Sequence, residues 1–182
     1  RFRSPMSSIE IHTDRLMMRL FKRGDESDVL AFSSNPEINR FTGDPVISSI
    51  SEVIALIENV WLSDYSSHGY GRFAVIHKAD NTIIGFCGVK YLPELQGTDL
   101  GYRFLPEYWG QGIATEACTA MVKDAFERLQ LEKIYAFVEP ENTASSRVLE
   151  KLGFTFEKTA PYPNETKPIL WYSLLKKDYE RQ

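Results

Sequence analysis

Two glycines two positions apart, Gly110 and Gly112, stand directly before a run of apolar residues at helical spacing. They belong to the stretch Pro-Glu-Tyr-Trp-Gly-Gln-Gly-Ile-Ala-Thr-Glu-Ala at 106–117. The run that follows puts Ala114, Ala117, Cys118, Met121, Val122, Ala125, Phe126 and Leu129 on one helical face. Residues 99–105 before it read as a strand. Strand, glycine turn and helix start, in that order, bring unspent backbone N–H groups and the positive end of a helix dipole to one point. Glycine has no Cβ, so the main chain there passes close to a ligand. This is chemistry for an anion, and a pyrophosphate suits it. A tight turn with no ligand is the plain alternative. The stretch is not a dinucleotide fingerprint, which needs a third glycine and a ribose-binding acid. It is not a P-loop, because no Gly-Lys-Ser/Thr follows.

A second stretch, Asn-Thr-Ala-Ser-Ser-Arg-Val-Leu-Glu-Lys-Leu-Gly-Phe at 142–154, sharpens the reading. Together the two segments resemble motifs A and B of the GNAT N-acetyltransferase superfamily. They are closest to its RimJ/RimL branch, which acetylates protein N-termini and some small amines. The superfamily pattern Arg/Gln-x-x-Gly-x-Gly/Ala falls on Trp109, Gly110, Gln111, Gly112, Ile113 and Ala114. Tryptophan at the first place departs from the general pattern and is common in the branch. Thr13-Asp14-Arg15-Leu16 looks like the branch's opening strand. Segments 68–76 and 84–89 look like its second and third. The resemblance covers nearly the whole chain, in order. It implies an α/β fold: a mixed, mostly antiparallel sheet flanked by helices and splayed between its fourth and fifth strands. It also implies acetyl-CoA as cosubstrate, lying in the gap, and no metal.

Acetyl transfer from a thioester to an amine must hold the donor, present the amine uncharged, stabilise an oxyanion and protonate the departing thiolate. Gly110, Gln111, Gly112, Ile113, Ala114 and Thr115 are expected to hold the pyrophosphate. Simple helix capping is the plainer reading of Thr115. Glu116 would repel a phosphate and is expected to point away. Phe104 and Leu105 occupy the family's position for pairing with the pantetheine arm, and a backbone N–H there would face the thioester oxygen. Asn142 suits a helix N-cap; the resemblance adds a hydrogen bond to the coenzyme arm. The tyrosine that protonates the thiolate in many GNAT enzymes is replaced here by Leu149. In the branch a serine at the position of Ser145 has that role. Ser146 ranks after it, and Tyr108 is the next proton donor should the serine fail. The base is expected to be a carboxylate, Asp99 at the start of the strand or Glu94 in the loop before it. A solvated strand end and a surface loop are their ordinary readings. The acceptor pocket is expected among 40–43, 68–72 and 162–164, and Tyr70 and Phe41 there also read as plain packing aromatics.

These residues need a scaffold. The chain has 182 residues, 43% hydrophobic and 25% charged, enough for one domain with a sizeable core. Residues 1–5 precede Met6 and read as an expression remnant, leaving 6–182 as a single domain. A net charge of -4 argues against nucleic acid as partner. No apolar run is long enough to span a membrane. Cys87 and Cys118 sit in apolar patterns and read as buried thiols, which suits a reducing cytoplasm. His12, His68 and His77 show no ligand spacing. Strands are expected at 16–20, 73–77, 82–90, 99–105, 133–138, 154–157 and 169–175. Helices are expected at 25–33, 51–64, 112–129 and 142–152. Loops take 91–97 and the proline-rich 161–168. The acceptor is an amine, either a protein N-terminus or a small molecule such as an amino acid, polyamine or antibiotic. A non-catalytic acyl-CoA-binding module is the contrary reading, and a homodimer is common in the branch.

Overall fold

The computed structural model describes residues 9–41 and 46–182. The expected remnant at 1–5, and Thr42 and Gly43 of the expected acceptor pocket, lie outside the described residues. One eight-stranded sheet runs through the protein in the order β1-β2-β3-β4-β5-β6-β8-β7. The strands are β1 (Glu10–His12), β2 (Leu16–Leu20), β3 (Phe73–His77), β4 (Thr82–Leu92), β5 (Gly97–Phe104), β6 (Lys133–Val138), β7 (Thr155–Pro161) and β8 (Pro168–Leu175). All neighbours are antiparallel except β5 and β6, which run parallel and share a single registered pair, Asp99 with Tyr135. Beyond that pair the two strands part. The sheet therefore splays as expected. The short extra strand β1 moves the opening from the fourth and fifth strands to the fifth and sixth.

Alternation decides which face each strand residue serves. In β6, Ile134, Ala136 and Val138 are buried, and Lys133, Tyr135 and Phe137 between them are partly exposed. The inward set packs under α4 (Ile113–Glu127), whose buried residues Ile113, Ala117, Cys118, Met121, Val122, Ala125 and Phe126 form one stripe. Burying a side chain such as Phe126 contributes roughly 1.5–3 kcal/mol. The opposite face carries α1 (Glu26–Ser33) and one long helix in three parts: α2 (Ile50–Leu56), a π-helical stretch Ile57–Leu62, and α3 (Ser63–His68). A separate core lies there, with Val29, Phe32, Val53, Ile57, Trp61 and Tyr65 packed on Phe21 and Ala74. Trp61 stacks on Phe21 with ring centroids 3.7 Å apart.

That long helix exceeds its expected 51–64 span at both ends and contains a wide turn. Its inward residues, Val53, Ile57, Trp61 and Tyr65, are spaced by four. At 3.6 residues per turn such a row drifts by about 40° per step. A π segment turns less per residue and holds the row against the sheet. Tyr65 ends the row. Its hydroxyl accepts from the Phe21 N–H at 3.0 Å and donates to the Arg72 carbonyl.

Other boundaries also move. The expected loop 91–97 shrinks to four residues, because β4 runs to Leu92 and β5 starts at Gly97. The last strand pair grows to Thr155–Pro161 and Pro168–Leu175 around the proline-rich turn. α5 (Thr143–Lys151) matches its expectation, with Asn142 as N-cap accepting from the Ser145 N–H at 3.2 Å.

Candidate active site

A cleft of about 650 Å³ runs through the splay between β5 and β6. One end is the start of α4, the middle passes the first turn of α5, and the far end reaches Asp99 and Arg72 on the opposite face of the sheet. A smaller cavity of about 480 Å³ near Phe126 and Tyr179 is remote from these groups.

The α4 end is built from backbone. Gly110 has φ +73° and Gly112 φ +79°, values that side chains with a Cβ rarely adopt. A Cβ on Gly112 would meet only Arg15 Nη2, at 3.6 Å, so the conformation and not crowding requires glycine. Gly112 is the N-cap and offers no side chain. The first intrahelical bond is Glu116 N–H to Gly112 O, at 3.0 Å. The N–H groups of Ile113, Ala114 and Thr115 therefore have no partner within the helix. Glu116 turns away, as expected. Its carboxylate accepts from the Thr13 hydroxyl, the Arg15 N–H at 2.9 Å and Arg15 Nε at 2.8 Å. Arg15 also donates to the Gln111 carbonyl at 2.9 Å, which pins the glycine turn to β2. Gly110, Gly112, Ile113, Ala114 and Thr115 line the cleft. Gln111 does not; its side chain donates to Glu107 O at 2.9 Å. Exposed Arg147 and Lys151, one helical turn apart on α5, line the cleft as well. The donor set there, free N–H groups with two cations and a helix dipole, fits a polyanion.

In the middle, Phe104, Asn142 and Ser145 line the cleft, whereas Leu105 does not. The Leu105 N–H donates to Ile84 O at 2.9 Å across β4, and its side chain packs with the core on the other face. The pleat gives Phe104 the opposite direction, so of the two only the Phe104 N–H turns toward the splay. The Phe104 carbonyl accepts from the Trp109 indole at 2.8 Å, which anchors the otherwise exposed tryptophan. Ser145 Oγ lies 2.8 Å from Tyr102 Oη. Burial pushes the Tyr102 phenol well up from its ordinary range. Leu149 is 3% exposed and belongs to the core. Tyr108 directs its hydroxyl to Asp80, away from the cleft's middle.

At the far end Asp99 faces Arg72, with Nη2 3.0 Å from Oδ1. The contact is an ion pair without hydrogen-bond alignment, and Oδ1 has no hydrogen-bond donor. Arg72 also donates to Gly88 O at 2.6 Å and Asp99 O at 3.3 Å. Gly101 permits this, since a Cβ there would sit 2.7 Å from Arg72 Nη2. Burial pushes the Asp99 carboxyl up, against the pull of Arg72 and Lys90. Glu94 is exposed, lies outside the cleft lining and accepts from the Tyr162 hydroxyl at 2.6 Å. Of the expected acceptor segments, 68–72 reaches the cleft through Arg72, whereas Tyr70 packs against the core with its hydroxyl 2.6 Å from Thr98 Oγ1, outside the lining. Tyr162 stands edge-on to Phe137 at 5.1 Å. No cluster suited to a metal occurs among the described residues.

Of the residues that sequence reasoning names, Gly110, Gly112, Asn142, Ser145 and Asp99 come together along one cleft. That reasoning assigns nothing to Tyr102, Arg147 or Lys151, and gives Arg72 no task beyond its loop. The alternation of Leu100, Tyr102 and Phe104 along β5 is the signal that places Tyr102 on the face of the strand toward the cleft.

Known proteins agree with this geometry. The family description "Acetyltransferase (GNAT) domain" matches residues 15–155. The chain is 30% identical over 175 residues to the uncharacterized N-acetyltransferase p20 of Bacillus licheniformis, covering 93% of this chain and 97% of that one. It superposes on a GNAT acetyltransferase crystal structure from Bacillus anthracis with TM-score 0.77, at 28% identity over 93% of this chain and 99% of the other. A similar fold, TM-score 0.76 at 21% identity over 92% of this chain and 99% of the other, occurs in a Vibrio cholerae spermidine N-acetyltransferase solved with CoA and spermine. With a cleft built for a polyanion and a family match over most of its length, the chain belongs to the GNAT acetyltransferases and is an N-acetyltransferase dependent on acetyl-CoA.

Proposed function

We propose that the protein transfers acetyl to a primary amine, with a protein N-terminal α-amine as the acceptor. The observation that carries the reading is the single cleft joining three groups in reaction order: the free N–H groups of α4, the Ser145 hydroxyl, and the Asp99 carboxylate. Acetyl-CoA, when bound, supplies the activated acyl group. The N–H groups of Ile113, Ala114 and Thr115 hold its pyrophosphate, with Arg147 and Lys151 adding charge. Asn142 and the strand edge at Phe104 align the pantetheine arm. Asp99 takes the proton from the incoming ammonium, directly or through one water. Ser145 directs its hydroxyl hydrogen at the departing sulfur. Its position in the first turn of α5 adds the helix dipole to that task. Asp99 is preferred to Glu94 as base because it lines the cleft and Glu94 is bonded to Tyr162 outside it.

The test is free-thiol release from acetyl-CoA with a panel of amines, comparing short peptides with free N-termini against polyamines and amino acids. Peptide turnover supports the reading; turnover of small amines alone overturns the acceptor assignment. Ser145→Ala should lower kcat by roughly tenfold to thousandfold with coenzyme affinity unchanged. Full kcat in that variant removes the serine from the mechanism.

A further inference from the structure

Ser145 cannot aim its own hydrogen. A hydroxyl rotor settles where the best acceptor lies, and Ser145 sits beside one oxygen that competes with the cleft, Tyr102 Oη at 2.8 Å. The direction of that hydrogen bond decides what the serine offers. If Ser145 donated to Tyr102, its oxygen alone would face the sulfur and would repel a thiolate. If Tyr102 donates, the serine oxygen is satisfied as an acceptor and its hydrogen is left for the cleft.

The surroundings favour the second arrangement. Tyr102 is held on β5 by pairing with Cys87 of β4, and its ring stacks on Phe104 with centroids 5.8 Å apart. The titratable groups acting on it are Cys118 and Cys87, two buried thiols with sulfurs 3.7 Å apart, together with Ser145 as hydrogen-bond partner. No cation among these favours a phenolate, and burial keeps the phenol protonated. A phenol is also the stronger donor of the two hydroxyls. The serine N–H is already committed to Asn142 Oδ1, so the side-chain rotor is the remaining freedom at this residue. Where many family members carry a tyrosine on the helix itself, this chain has the apolar, buried Leu149.

Resting on the acetyltransferase reading, we propose that Tyr102 is a positioning residue: its hydroxyl donates to Ser145 Oγ and thereby turns the serine hydrogen onto the sulfur of the leaving coenzyme. As the carbon–sulfur bond breaks, sulfur keeps the electron pair. The serine hydrogen stabilises it until a proton is delivered from solvent, and Tyr102 loses none. The pair is a two-hydroxyl relay of orientation and not of protons.

The experiment compares Tyr102→Phe, Ser145→Ala and the double variant with the unchanged protein. Phenylalanine keeps the ring on Phe104, so thermal melts should nearly coincide. With an accepted amine, Tyr102→Phe should lower kcat about tenfold, the worth of one well-placed hydrogen bond, while KM for acetyl-CoA stays constant. In the Ser145→Ala background the same change should have no further effect, because its only route is through the serine. Full additivity in the double variant overturns the proposal, as does a lowered melting temperature with unchanged kcat. A second readout needs no amine. The thiol of bound CoA is titrated by its thiolate absorbance, and it should ionise at lower pH in the unchanged protein than in either single variant. Equal titration curves overturn the proposal even if turnover is never seen. Failure of CoA to bind at all is a different result, which removes the acetyltransferase reading and this proposal with it.

Discussion

Arg72→Met isolates the electrostatics of the acceptor end. In the native protein Arg72 Nη2 stands 3.0 Å from Asp99 Oδ1, and the two side chains are only 12% and 13% exposed. At an effective dielectric of about 20 that separation corresponds to an attraction of roughly 5.5 kcal/mol. The residual exposure and relaxation trim the figure, and removing one partner of a buried pair ordinarily costs about 3–5 kcal/mol. For a protein of this size the melting temperature at neutral pH should fall by roughly 6–20 °C. The pH dependence has a definite sign. The Asp99 carboxyl is already raised by burial in the folded state. A raised folded value favours the native state at low pH and withdraws that support as pH rises through it. Loss of Arg72 raises it further, so the variant's deficit should shrink on acidification. The acidic limb of its pH–rate profile should move to higher pH. Circular-dichroism melts at pH 5 and 8 and a kcat/KM profile read both effects. Adding Asp99→Asn removes the stranded charge and should restore most of the stability while leaving activity low. A variant that melts like the native protein at pH 8, or a double variant no more stable than Arg72→Met, would refute the reasoning.

Gly112→Val should retain the fold at a cost of about 1–2 kcal/mol for a side chain held at positive φ. Its CoA affinity by calorimetry should fall at least about tenfold, as the N–H cradle is obstructed; unchanged affinity places the coenzyme elsewhere. Leu149→Ala should cost about 2–5 kcal/mol in chemical denaturation with kcat nearly preserved, since the residue is packing and not chemistry. Burial lifts the Glu116 carboxyl, but bonds from Thr13 and Arg15 outweigh it and lower its pKa. A lowered folded value contributes stability above the unfolded value of about 4.3 and loses it as pH falls through the folded one. Glu116→Gln should therefore destabilise at pH 7 and much less at pH 3, and equal melting deficits at both would disprove that account.

Local pattern carries much of the fold. Strand β6 is legible to the residue because Ile134, Ala136 and Val138 alternate with partly exposed neighbours. Helix α5 is bounded by an asparagine cap and a glycine stop. β1 leaves no such trace: it has three residues and exists through its pairing with β2. The β4–β5 connection is misjudged because Pro93 and Gly97 look like a long loop. The turn is in fact closed tightly by Gln96 at φ +48°. The site divides in the same way. The glycine turn and Ser145 sit in contiguous motifs, whereas Arg72 meets Asp99 only through tertiary folding across a strand made bare by Gly101. Tyr102 reaches Ser145 from a sequence distance of 43 residues. Leu105 illustrates the reverse error, since adjacency to Phe104 in sequence means opposite directions in a pleated strand.

The wide turn at Ile57–Leu62 bears on how this chain tolerates changes of length. Such a turn is equivalent to one residue inserted into a regular helix. Deleting a single residue there would restore regular winding and keep the inward row on the sheet, since roughly eleven steps of about 100° close three full turns. A further residue inserted there would instead turn Tyr65 by roughly 100° away from the sheet and break the hydrogen bond that fixes the Arg72 carbonyl. The segment thus sets reading frame in three dimensions: a one-residue deletion at 57–62 should be tolerated, whereas a one-residue insertion should damage the acceptor end far more than its distance suggests. Point substitutions on the outward residues Glu58 and Asn59 should pass almost unnoticed.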